Sequence, residues 1–316
     1  MATGRLRDLK DNNMVNIIGH RYINLFLSGA LFVVAVIAIL TFGFKTGNDF
    51  QGGSLLEVSF TKEVPATKEI QTVLEPLNFG NISVQTVGED GLILKLRFVN
   101  ETEHQQMLTA LRNKYENNDN KVMEDRFETI GAAVSKQLRT RTVYAVTIVI
   151  LAIIAYIAYA FRGVSRPVAS WKYGVVAVFA LFHDVTITAG VFAVLGRYLG
   201  VEIDIPFVVA LLTILGYSVN DTIVVFDRIR ENLIRRSSDD FAGTVNVAIN
   251  ETFARSINTT ATTLFTLAAL FLFGGETIKY FVLALLIGIF LGAYSSIFVA
   301  SPLLVEWYNW QNRRKA

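Results

Sequence analysis

An acid stands in this sequence where a bilayer is expected. Asp221 follows the apolar run 205–219 and is itself followed by Ile223, Val224, Val225 and Phe226. An ionisable group at membrane depth costs roughly 2.5–3.5 kcal/mol on insertion scales, and it faces a polar path or a partner far more often than lipid. Two placements are open: an intramembrane carboxylate, or an interfacial cap with the membrane ending at Asn220. The apolar tetrad after the acid favours the first. The chemistry available to it is proton exchange, since burial favours the neutral acid and a neighbouring cation favours the carboxylate. The structural alternative is a helix-fixing carboxylate paired permanently with an arginine.

Arg255 is the second candidate. Arg255, Thr259, Thr262, Thr263 and Thr266 recur at helical spacing and share one face. Hydroxyls arrayed below an arginine suit a hydrated proton path. Threonines in membrane helices also bond back to their own preceding turn and allow close helix packing, so spacing leaves both readings standing. Asp184 is the third candidate, beside His183 in the middle of another apolar run. Two titratable groups there suggest a relay. Adjacent helical positions point about 100° apart, which predicts that the two do not share a proton. An internal hydrogen bond locking this helix to a neighbour is the alternative.

These residues need membrane helices to position them. Apolar runs of bilayer length, near the roughly 20 residues a crossing requires, fall at 22–42, 143–161, 171–195, 205–226, 257–273 and 278–299. The match Gly288-x-x-x-Gly292 in the last predicts close helix packing. Between the first two runs lies a polar segment. It carries strand patterns at 55–60, 82–87, 92–98 and 122–130, with amphipathic helical spacing at 66–77 and 102–115. The order βαββαβ suggests a ferredoxin-like α+β fold. The expected organisation is a tail at 1–21, a first membrane helix at 22–42, an α+β domain at 43–140, helices two to six within 141–305, and a tail at 306–316. Basic residues set the orientation. Arg5, Arg7, Lys10, Arg21, Arg162, Arg166, Lys172, Arg228, Arg230, Arg235, Arg236, Arg313, Arg314 and Lys315 fall on one side, and the opposite short loops hold only Arg197 and Lys279. Both termini are therefore expected in the cytoplasm and the α+β domain outside.

Composition narrows the function. Of the 316 residues 52% are hydrophobic, above the roughly 45–50% usual for soluble domains. The net charge of +2 gives no sign of a nucleic-acid partner. There is no cysteine, and three scattered histidines make no zinc site. No phosphate loop or nucleophile elbow is present, and no cofactor or metal is expected. Work done by such a chain must draw on a partner or an ion gradient, where one charge crossing 100 mV is worth about 2.3 kcal/mol.

Several stretches together resemble one family. They are Gly47-Asn48-Asp49-Phe50-Gln51-Gly52-Gly53, Phe182-His183-Asp184-Val185, residues 215–232, Arg255-Ser256-Ile257-Asn258-Thr259-Thr260, Gly274-Gly275, Tyr294-Ser295-Ser296-Ile297 and Ala300-Ser301-Pro302. Over about residues 20–305 the chain is similar to the SecF family of protein translocase subunits, a small branch of the resistance-nodulation-division superfamily. The resemblance implies a multi-pass protein of the bacterial inner membrane. It implies pairing with SecD, association with the SecYEG channel, and use of the proton motive force to promote export of preproteins. It also implies that Asp221 and Arg255 belong to the proton pathway, with a further acid supplied by SecD. Two positions depart from the family pattern: Gly131-Ala132 stands where a Gly-Pro pair is usual, and Asn48 where an apolar residue is common. Two other functions compete with export: a proton-coupled transporter of a small substrate, for which about 95 external residues leave little room, and a non-transporting assembly factor.

Overall fold

The structure is a computed structural model that describes residues 14–162, 168–235 and 240–314. Arg5, Arg7, Lys10, Arg166, Arg236 and Lys315 lie outside the described residues, as does most of the 1–21 tail. In chain order the helices are α1 (Arg21–Phe42), α2 (Asn48–Gln51), α3 (Thr67–Leu74), α4 (Glu101–Tyr115), α5 (Ala132–Ala160), α6 (Ser170–Leu199), α7 (Ile205–Arg235), α8 (Phe241–Phe273), α9 (Glu276–Ser295) and α10 (Ser301–Arg313). The strands are β1 (Gly53–Phe60), β2 (Ser83–Val87), β3 (Gly91–Leu96) and β4 (Val122–Ile130). The chain divides into two units, one made of residues up to 45, 146–201 and from 206 on, the other of residues 46–145 and 202–205.

Among the described residues six helices are long and apolar enough to cross a membrane, α9 and α10 counting as one continuous crossing. Several crossings run well past one end of their apolar runs. α7 continues to Arg235 because its polar end is laced by Asp227–Arg230, Arg228–Glu231 and Glu231–Arg235 pairs at helical spacing. α8 starts at Phe241, where the Asp240 carboxylate accepts from the Ala242 and Gly243 amides at 3.1 and 3.0 Å, a standard helix start. Hydropathy registers only the apolar core of such helices, so the predicted 205–226 and 257–273 are cores of longer rods.

Burial ranks the helices. About two thirds of the most apolar stretch of α6 is buried, against 6% for α5 and 17% for α8. α6 and α9 form the centre. Small residues let them approach their neighbours: a Cβ on Gly190 of α6 would sit 2.5 Å from the Ala35 Cβ of α1. A Cβ on Gly288 would sit 2.2 Å from Ile214 Cδ1, and one on Gly292 would sit 2.9 Å from Ser218 Cβ. The Gly288-x-x-x-Gly292 face of α9 is thus packed on α7, as the motif predicts.

The smaller unit is a four-stranded antiparallel sheet in the order β2-β3-β1-β4, covered by α3 and α4. Period-2 alternation turns Leu56, Val58, Leu92 and Leu94 inward, where they meet Ile70, Leu74, Met107 and Leu111 from the helices, all of them buried. This is the βαββαβ arrangement expected of a ferredoxin-like fold. α4 opens with a capping box: Asn100 accepts from the Glu103 amide at 2.9 Å, and Glu103 accepts from the Asn100 amide at 3.0 Å. The Arg97 guanidinium beside Glu103, with help from the Asn100 amide, holds that carboxyl below the usual carboxylate range.

Two glycines begin the sheet. Gly52 has φ +78° and Gly53 φ +134°, and a Cβ on Gly53 would lie 2.6 Å from the Leu96 carbonyl oxygen. No residue with a side chain fits there without displacing β3.

Candidate functional site

Asp221 sits on α7 with 9% of its surface exposed. Its Oδ1 accepts a hydrogen bond from Ser256 Oγ of α8 at 2.5 Å. Its Oδ2 is buried and has no partner within hydrogen-bond distance, while the Ser296 hydroxyl lies just beyond that distance from the carboxyl. One position on, Thr222 Oγ1 lies 2.8 Å from Ser296 Oγ, and that hydroxyl also reaches the Gly292 carbonyl at 2.8 Å. Ser296 opens a π-helical turn, Ser296–Ala300, between α9 and α10. Ser301 Oγ donates to the Ser296 carbonyl at 2.9 Å, five residues back. Single π turns inside α-helices concentrate at functional sites.

Asp184 lies on α6 and is fully buried. Its Oδ2 accepts from Ser218 Oγ of α7 and from Ser295 Oγ, the last residue of α9, each at 2.7 Å. Its Oδ1 lies 3.0 Å from His183 Nδ1. The expectation that neighbours 100° apart do not share a proton is therefore corrected. Phe32 of α1 stacks almost parallel to the His183 ring, at 9° between planes, and Asp184 is the polar group left for its Nδ1 edge. His183 Nε2 is buried without a partner. Hydrogen bonds thus tie Asp184 to α7 and α9, which is the contact that an interhelical lock, the alternative to a relay, requires.

Arg255 and Asp221 are not brought together within this chain. Arg255 and Thr259 are exposed, and Thr263 is half-buried. Ser256 and Thr260 occupy the buried face of α8 instead. Tyr217 OH of α7 donates to the Thr259 carbonyl at 3.2 Å and lies 3.3 Å from Thr263 Oγ1. Thr262 and Thr263 both bond back to the Thr259 carbonyl, and Thr266 bonds back to Thr262, as threonines do when no better acceptor is near. The arginine and the threonine stripe thus present a polar face outward from the helices of this chain.

Ser218, Thr222, Ser256, Ser295 and Ser296 are the site residues that the reading of single acids passes over. The signal for them is stoichiometric: each buried carboxyl needs donors, and short hydroxyl side chains in otherwise apolar helices are the groups able to donate. Among the described residues no group of three His, Asp or Glu side chains is arranged to hold a metal ion.

Comparison with known proteins bears on both units. Residues 110–310 match the family described as protein export membrane protein SecD/SecF, C-terminal, and residues 37–64 match the SecD/SecF GG motif. The protein translocase subunit SecF of Thermobaculum terrenum is 42% identical over 94% of this chain and 95% of its own length. That of Anaerolinea thermophila is 38% identical over 95% of this chain and 98% of its own. Among solved structures, SecDF of Thermus thermophilus, a translocon-associated membrane protein, superposes with a TM-score of 0.79 at 32% identity, covering 96% of this chain. The present chain spans 41% of that SecDF chain.

Proposed function

The chain belongs to the SecD/SecF family of protein export membrane proteins, and from that membership we propose that Asp221 carries the proton whose movement drives the export step. The protein is a multi-pass membrane subunit of Sec protein export. The observation that carries the proposal is the buried, unpaired Oδ2 of Asp221, next to an Oδ1 already bonded to Ser256. A carboxyl group with one oxygen satisfied and one free can bind or release a proton there without breaking a helix contact.

Arg255, Thr259 and Thr263 form the outward half of the path. A polar stripe exposed along a membrane-spanning helix is costly against lipid, so a partner of complementary polarity is called for. SecD is that partner in our reading, because the matching family is described as SecD/SecF and the solved relative is named SecDF. We further propose that the complex works beside the SecYEG channel on preproteins crossing the bacterial inner membrane. The basic residues Arg162, Lys172, Arg228, Arg230 and Arg235 support cytoplasmic termini, with the sheet domain outside.

The test is preprotein export into inverted vesicles containing this chain and its SecD partner, with and without a proton gradient. Asp221→Asn is expected to assemble normally and lose the stimulation. A mutant that responds like wild type assigns the buried acid a structural role and removes the proton reading.

A further inference from the structure

We propose that Asp184 is a positioning residue for the proton site: through Ser295 it anchors the π turn of the last crossing, which keeps Ser296 on Thr222 and leaves the second oxygen of Asp221 free. This rests on the reading of Asp221 as the proton carrier. Asp184 does not touch Asp221. The route between them is a chain of named contacts. Asp184 Oδ2 holds Ser295 at 2.7 Å. The next residue, Ser296, starts the π turn and sits 2.8 Å from Thr222, the residue following Asp221.

Consecutive serines on a helix point about 100° apart. Ser295 and Ser296 can therefore serve α6 and α7 at once only while the helix holds its present rotation at this point. Two features fix that rotation. Gly292 brings α9 against Ser218, where a Cβ would meet Ser218 Cβ at 2.9 Å. The Asp184 carboxyl then holds Ser295, at the end of α9, through Oδ2. If Ser295 is released, α6 keeps only its apolar packing on the turn, and Ser296, whose hydroxyl donates to the Gly292 carbonyl and lies beside the Asp221 carboxyl, becomes free to turn its proton to the unpaired oxygen.

The surroundings are simple. His183 is the one titratable side chain paired with Asp184, and no ion pair reaches Asp221 among the described residues. A change in Asp221 caused by a variant at Asp184 or Ser295 therefore travels through hydroxyl groups rather than through a relocated charge partner.

The experiment follows the carbodiimide labelling of Asp221 against pH in the full-length complex with SecD, read by peptide mass spectrometry, alongside thermal unfolding. Ser295→Ala and Asp184→Asn are each expected to displace the labelling midpoint by about one pH unit, and the double variant no further than the larger single, as for groups acting in one chain. Ser218→Ala keeps the Cβ on which Gly292 packs and keeps the Ser295 bond to the same oxygen, removing only its own hydrogen bond. It is expected to lower the unfolding temperature and leave the midpoint in place. Where Asp184→Asn does not assemble, Ser295→Ala carries the test, since it leaves the carboxyl with Ser218 and His183. A Ser295→Ala midpoint equal to wild type makes Asp184 a structural lock and overturns the proposal. Equal displacement by Ser218→Ala and Ser295→Ala removes the route through the turn and overturns it as well. A wild-type Asp221 that shows no midpoint overturns the proton-carrier reading first, and this one with it.

Discussion

Asp221 Oδ1 and Ser256 Oγ are 2.5 Å apart, joining α7 to α8, while Arg255, one position earlier, is exposed. The serine and the arginine thus have separable tasks. Ser256→Ala leaves a buried carboxyl without its donor and is expected to cost about 1–3 kcal/mol. Arg255→Ala is expected to change the stability of the isolated chain by no more than about 0.5 kcal/mol, as surface substitutions do, yet to weaken the gradient response once SecD is present. Thermal unfolding in detergent and vesicle export measure the two effects on the same preparations.

The glycine pair makes a sharper demand. Gly53→Ala places a Cβ 2.6 Å from the Leu96 carbonyl at φ +134°. We expect a loss of about 1–3 kcal/mol from backbone strain, localised to the sheet. Protease susceptibility of residues 53–96 in the intact membrane protein should rise while the membrane helices stay protected. Unchanged protection would mean that β3 shifts without strain.

Gly292→Ala tests the approach of α9 to α7. Its new methyl meets Ser218 Cβ and Cα rather than the far end of a flexible chain. Overpacking of this kind costs about 1–3 kcal/mol. Gly288→Ala meets Ile214 Cδ1, Cγ1 and Cγ2 at 2.2, 2.4 and 2.8 Å, on a fully buried β-branched side chain that is stiff at χ1, and is expected to cost more. Paired unfolding curves decide the order.

Acid should loosen α4 before the rest of its sheet. Arg97 and the Asn100 amide lower the Glu103 pKa in the folded state. A depressed carboxyl contributes stability that is present above its unfolded value, about 4.3, and is lost as pH falls through the lower folded value. Hydrogen exchange of residues 101–115, taken relative to the intrinsic amide rate at each pH, should therefore accelerate on acidification below about pH 4.3. In Glu103→Gln that acceleration should be smaller, since the side chain no longer titrates.

Leu56 tests the small core. It is fully buried between the sheet and its helices. Leu56→Ala is expected to cost about 2–5 kcal/mol, seen as lower abundance of the membrane protein and faster cleavage within 46–145.

The sequence displays what depends on periodicity. Six apolar runs become six crossings, and the last strand expected at 122–130 becomes β4 with those bounds. It hides what depends on rotamers and on the ends of helices. The polar extensions of α7 and α8 follow from ion pairs and a cap, which hydropathy does not register. Arg255 and Ser256 differ by one position, and spacing alone cannot say which of them meets Asp221 until the rotation of α8 against α7 is fixed. The His183–Asp184 contact runs against helical geometry and depends on Phe32 closing the other side of the ring. Ser295 and Ser296 stand out as residues of a recurring motif, but which serine serves which acid depends on a turn that no sequence pattern announces.

That turn has a consequence for insertions and deletions. A π turn holds one residue more than the α-helix around it. Removing one residue from 296–300 would let the last crossing close into an unbroken α-helix, with its hydrogen bonds preserved. Because the turn under-rotates by about the 100° of its extra residue, residues 301–313 would keep their present direction relative to α9. Glu306 would stay on Arg21 and Lys172 on Gln311, while the turn that sets Ser296 against Thr222 would be gone. The same deletion made elsewhere in the crossing would rotate everything beyond it by about 100°, so the length of the last crossing is tolerant at the turn and strict on either side of it.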